Sequence, residues 1–94
     1  MAKRNDNTKR MEYILRVVSG FMKLSEVTVM RGRDISSTRA RLYFMECCRR
    51  DFLSSGEVGR FLGCSPANVL MRTNSLRRIG GEDLEVSRVI YERV

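Results

Sequence analysis

The 94-residue sequence has no histidine and no tryptophan, one proline and three cysteines. Without histidine there is no Ser-His or Cys-His nucleophile pair, no imidazole metal ligand, and no side chain whose unperturbed charge changes between about pH 5 and 8. Cys47, Cys48 and Cys64 are one ligand short of a tetrahedral thiolate site, and the side chains of neighbours on a helix diverge by about 100°. They read as reduced core thiols, which suits an intracellular protein. No apolar run approaches the ~18 residues of a membrane span, and Met1-Ala-Lys-Arg-Asn is too polar to open a secretory signal. Gly-rich phosphate loops and nucleophile constellations are missing too. Of general acid–base pairs, Glu57 with Asp51 is the type that remains. The expectation is a single soluble domain in the cytoplasm, nucleoid-associated, with no catalytic residue, cofactor, metal or membrane partner.

Charge of one sign is scarce as well. Eighteen Lys and Arg face eleven Asp and Glu, for a net charge of +7. Fifteen of the cations are Arg, whose fork matches phosphate oxygens and guanine edges better than Lys does. Residues 1–81 hold 16 cations and seven acids, whereas residues 82–94 hold two and four. A basic body with a mildly acidic last segment fits a polyanionic partner, with that segment facing away from it.

The apolar periodicity is helical throughout; Val27-Thr28-Val29-Met30 is the only strand-like run and it is short. Residues 1–8 read as a polar N-terminal arm, and residues 9–94 as one helical domain. Met11, Ile14, Leu15, Val18, Phe21 and Met22 recur at spacings of three and four, predicting a helix over residues 9–23 capped by Asn7 or Thr8. Gly20 weakens that helix without ending it. Ser25 opens a short helix over 26–30, closed by Gly32. Ser36 or Ser37 caps a third over 38–52, with Leu42, Met45 and Cys48 or Arg49 one turn apart. Ser54-Ser55-Gly56-Glu57 starts a fourth, with Val58, Phe61 and Leu62 as its apolar face, and Gly63 stops it. Ser65 caps a fifth, with Pro66 at the first helical position, where its missing N–H costs nothing. Gly80-Gly81 ends it near Ile79. A sixth covers 82–93, with Leu84, Val86, Val89 and Ile90 as its stripe. The expected fold is all-α, a compact bundle of about six helices.

Residues 54–79 carry the marks of a helix-turn-helix. Two helices crossing at about 90–120° across a short turn need a small residue at the crossing, a glycine in the turn and apolar filling. Gly59, Gly63 and the set Val58, Leu62, Cys64, Val69 and Leu70 supply them. With Val69, Leu70, Thr73 and Leu76 facing inward, the outward set is Ala67, Asn68, Met71, Arg72, Asn74, Ser75 and Arg78. No acid occurs between Cys64 and Gly81, as suits a helix in the major groove of DNA. Ser65, Ala67, Asn68, Met71, Arg72 and Ser75 are the base-edge candidates, with Ser65, Asn68 and Arg72 foremost because the N-terminal part penetrates deepest. Arg31, Arg33, Arg39, Arg41, Arg60 and Arg78 are the phosphate candidates.

The order of these features over residues 12–94 resembles the C-terminal DNA-binding domain of the bacterial replication initiator DnaA, of the Trp-repressor-like helical group. Leu24-Ser25-Glu26-Val27 looks like the family's short second helix, and Arg31-Gly32-Arg33 stands at its basic loop. Arg39 or Arg41 stands near its phosphate-contacting arginine. Leu53-Ser54-Ser55-Gly56-Glu57-Val58-Gly59-Arg60-Phe61-Leu62-Gly63 is similar to its L-S-x-x-E-I-G-x-x-F-G segment, and Val69-Leu70 matches the V-L that follows. The family's Arg-Asp-His-(Ser/Thr)-Thr signature is absent; Cys64-Ser65-Pro66-Ala67-Asn68 stands there instead. The resemblance thus implies the fold and docking mode but not the initiator's target sequence.

The functional expectation is a non-enzymatic protein that binds double-stranded DNA through the major groove, a small bacterial or phage regulator of transcription or replication. The alternative is a protein-interaction module, an adaptor or inhibitor, on the same scaffold. A homodimer, and a protein partner from the replication or transcription machinery, are compatible with either.

Overall fold

A computed structural model describes the backbone of residues 2–94 and the side chains from Asp6 onward. Six α-helices and no strand occur among the described residues: α1 (Ala2–Met22), α2 (Glu26–Arg31), α3 (Ile35–Arg50), α4 (Ser55–Leu62), α5 (Pro66–Ile79) and α6 (Glu82–Glu92). The fold is all-α, with a radius of gyration of 12.1 Å.

Two helix starts differ from the sequence reading. The first helix begins at Ala2, so Asn7 and Thr8 lie inside it rather than capping it, and the segment expected as an arm extends the helix. A tertiary contact accompanies this: the Asn7 amide donates to the Glu57 carboxylate. The cap of α3 is Asp34, not Ser36 or Ser37. Its carboxylate accepts from the Ser37 N–H at 3.4 Å and from the Ser37 hydroxyl at 2.5 Å. Like a serine hydroxyl, a carboxylate there satisfies an orphan donor; unlike one, it also brings a negative charge to the positive end of the helix dipole. The hydrogen bond from Ser37 holds the Asp34 carboxyl below its usual pKa.

Helix α3 is the central element. Tyr43 through Cys48 are all buried, and the core closes around them with Ile14 and Val18 from α1, Val29 from α2, Val58 from α4, Val69 from α5 and Ile90 from α6. The Phe44 and Phe61 rings stack with centroids 5.6 Å apart. Cys47 and Cys48 belong to this core as free thiols. Burial, with Glu46 adding to it, pushes the Cys47 pKa up to about 12. On α6 the buried residues are Ser87 and Ile90, and Val89, expected in the stripe, is exposed.

Polar ties between distant segments complete the frame. Arg10 of α1 grips Asp51 at 2.7 and 3.0 Å, and Tyr91 of α6 donates to the same carboxylate at 3.0 Å. The Arg10 hydrogen bonds hold Asp51 below the ordinary carboxylate range. The side chain of Glu46, fully buried, takes Arg77 of α5 and Arg50 as ion-pair partners, each at 3.0 Å.

Candidate nucleic-acid interface

Helices α4 and α5 are joined by Gly63, Cys64 and Ser65, and each boundary has a local cause. Ser54 and Glu57 form a reciprocal capping box at the start of α4: the Glu57 N–H donates to the Ser54 hydroxyl at 3.1 Å, and the Ser54 N–H donates to the Glu57 carboxylate at 3.2 Å. Gly63 ends α4 at φ 80°, a left-handed conformation that costs a residue with a Cβ about 1–2 kcal/mol. The Asn68 N–H donates to the Ser65 hydroxyl at 3.1 Å, and Pro66 is the first helical residue of α5. Gly59 lies where the returning chain crosses α4. A Cβ there would sit 2.6 Å from the Cys64 carbonyl oxygen and 3.2 Å from the Pro66 nitrogen. This arrangement is compatible with the helix-turn-helix expected over residues 54–79.

Val69, Thr73 and Leu76 form the buried side of α5. Leu70, expected inward, is 44% exposed. It borders a cleft of about 140 Å³ with Met45, Arg49, Leu53 and Ser55. The inward face is narrower than the sequence implied because Arg49 approaches this flank. Its guanidinium donates to the Thr73 hydroxyl at 2.9 Å and to the Asn74 side-chain oxygen at 2.7 Å.

Of the base-edge candidates, Ala67, Met71 and Arg72 are exposed and Asn68 and Ser75 half-buried. Ser65 is exposed, but its hydroxyl oxygen already serves as the α5 cap. Arg72 donates to the Asn68 side-chain oxygen at 3.3 Å, which couples the two residues on one flank. Ala67, Met71, Asn74, Ser75 and Arg78 line a shallow surface along the outer side of α5.

The phosphate candidates separate into groups. Arg33 and Arg39 line a groove of about 300 Å³ together with Arg72, so three arginines from the α2–α3 loop, α3 and α5 share one face. Arg78 is exposed on α5, and Arg31 and Arg60 are exposed at the ends of α2 and α4; neither of the last two lines that groove. Arg41 turns inward and donates to the backbone carbonyls of Val29, at 3.0 Å, and Gly32, which ties the α2–α3 loop to α3.

Sequence reasoning missed Glu46, Arg49 and Arg77, which fasten α5 to α3. The signal available was Glu46 four residues before Arg50, an ordinary surface spacing; nothing local marks its carboxylate as buried. Among the described residues no His/Cys/Asp/Glu group suited to a metal ion occurs, and no helix is long and apolar enough to cross a membrane. Comparison of the chain with protein-family models, curated proteins and solved structures finds no match.

Proposed function

We propose that the chain is a non-enzymatic double-stranded DNA-binding protein that lays the outer side of α5 in the major groove, as a regulator of transcription or replication. The observation that carries the reading is the exposed surface of α5 itself. It presents amides, hydroxyls, one thioether and Arg72 and Arg78 without a carboxylate, and Arg33 and Arg39 stand beside it. Amide and guanidinium groups read base edges, and flanking arginines set the register on phosphates. The helical order over residues 12–94 that resembles the initiator's DNA-binding domain supports the same docking mode. With Ser65-Pro66-Ala67-Asn68 at the start of α5, the bases read differ from the initiator's.

The test is fluorescence anisotropy with random-sequence duplex DNA across a salt series. With Arg33, Arg39, Arg72 and Arg78 on or beside that face, log affinity falls against log salt with a slope of about −3 to −4. Arg72→Glu weakens binding by about tenfold or more, since a charge-assisted contact becomes a repulsion. No binding at low salt overturns the reading.

A further inference from the structure

Beside the outer side of α5 lie side chains that DNA binding does not explain. Ile35, at the start of α3, is 76% exposed, and Ile79, at the end of α5, is 77% exposed. Each borders one of two adjoining grooves. The larger, about 400 Å³, runs between α5 and the start of α6 over Leu42, Leu76 and Ile79. The smaller, about 300 Å³, runs over Ile35, Thr38 and Leu42. Leu42, Arg72 and Asp83 line both, so the two form one channel. The phosphates that Arg33, Arg39 and Arg72 would engage offer no aliphatic surface to cover Ile35 and Ile79, and exposed apolar side chains gathered along one groove mark an interaction surface.

The rim has a definite sign. Arg33, Arg39 and Arg72 stand on it against one acid, Asp83. Asp83 is already engaged, accepting from the Tyr43 hydroxyl at 2.6 Å and lying 3.7 Å from Arg39. No carboxylate of the described residues lies within ion-pair distance of Arg33 or Arg72. An apolar floor whose rim carries two guanidiniums without a carboxylate partner, Arg33 and Arg72, complements a segment in which carboxylates alternate with large apolar side chains. The same face of a second copy is a poor match, because it carries the same positive rim on a chain of net charge +7.

We propose that this channel docks an acidic amphipathic polypeptide segment. Because Asn68, Met71 and Arg72 also line the channel, the docked segment keeps DNA off α5. The exclusion rests on the DNA-binding reading above; the docking does not.

The experiment is selection of displayed random peptides about four helical turns long on the intact chain, at an ionic strength of about 0.15 M. Enriched sequences should combine Asp or Glu with Leu, Ile or Phe. One of them, synthesised with a fluorophore, should bind the wild type. Its affinity should fall about tenfold for Ile79→Ser and for Ile35→Ser, and by less than about twofold for Val27→Ser, an exposed apolar site outside the channel. It should also displace random duplex DNA. Both isoleucines are largely exposed, so these variants remain folded. No enrichment over an Ile35→Ser/Ile79→Ser bait overturns the docking, as does a peptide indifferent to the isoleucines. Sedimentation as a dimer that Ile79→Ser dissolves overturns it in favour of a second copy. A ternary complex with DNA overturns the exclusion. Peptide binding with no DNA binding at any salt supports the docking and sinks the DNA reading alone.

Discussion

Gly59→Ala is the most direct probe of how α4 and α5 cross. The added methyl carbon would lie 2.6 Å from the Cys64 carbonyl oxygen and 3.2 Å from both the Pro66 nitrogen and the Ser65 carbonyl carbon. All three are backbone atoms, so no rotamer change relieves the contact and the turn itself must move. Overpacking of this kind costs up to about 3 kcal/mol. The alanine recovers about 1 kcal/mol in helix propensity, which leaves a net loss of up to about 2 kcal/mol. For a domain of this size the full loss lowers the melting temperature by about 8–16 °C. Gly20→Ala is the internal control, because that glycine is also helical and a Cβ there meets nothing within 4 Å. Propensity then acts alone, and stability rises by about 0.5–1 kcal/mol. Gly63→Ala gives an intermediate loss of about 1–2 kcal/mol from the left-handed backbone. Thermal unfolding followed by circular dichroism ranks the three. A Gly59→Ala melting temperature at or above that of wild type refutes the close crossing.

Three further outcomes follow from the polar and thiol contacts. Glu46→Ala empties a buried side-chain site and leaves Arg50 and Arg77, both partly solvated, without their carboxylate, and should cost about 1–3 kcal/mol, whereas Arg77→Ala leaves Arg50 as partner and costs less; urea midpoints compare them. The hydrogen bond from Arg10 lowers the Asp51 pKa, and the one from Asn7 lowers that of Glu57. Their stabilisation is therefore fully present above the unfolded carboxylate range, at about pH 4, and is lost as pH falls through the lower folded values. Stability should hold from neutral pH to about pH 5 and then decline, and Arg10→Met should flatten the decline; an unchanged acid limb in that variant refutes the link. Burial raises the Cys47 and Cys48 pKa values, so a thiol-specific disulfide reagent at neutral pH should label half-buried Cys64 first and the other two only on unfolding. Labelling of all three at one rate in the folded chain contradicts that.

The legible parts of the fold are those whose causes are local. Ser54 with Glu57, Gly63, and Ser65 with Pro66 place the ends of α4 and α5 by contacts within a few residues, and all three were readable as spacings. The start of α1 was not, because Asn7 has the composition of a cap and its partner Glu57 is fifty positions away. Asp34, Ser36 and Ser37 all have the composition of a cap, and only the backbone path shows which side chain reaches the open N–H. Periodicity alone places Leu70 on the inward face of α5, where it is 44% exposed. Arg49, from another helix, takes the neighbouring positions Thr73 and Asn74 and leaves Leu70 at a cleft rim.

For the candidate site the division is similar. The sequence by itself determined an all-helical chain, an excess of arginine and a carboxylate-free fifth helix, since composition and period need no partner to be read. Only tertiary structure decided that Arg33, Arg39 and Arg72 share a face while Arg41 is used inside the fold. It also decided that Glu46 is a buried ion-pair centre and that Ile35 and Ile79 flank one channel. The physical reason is that the helical period tells which side of a helix a residue occupies, and says nothing about which other helix, or how much water, lies against that side.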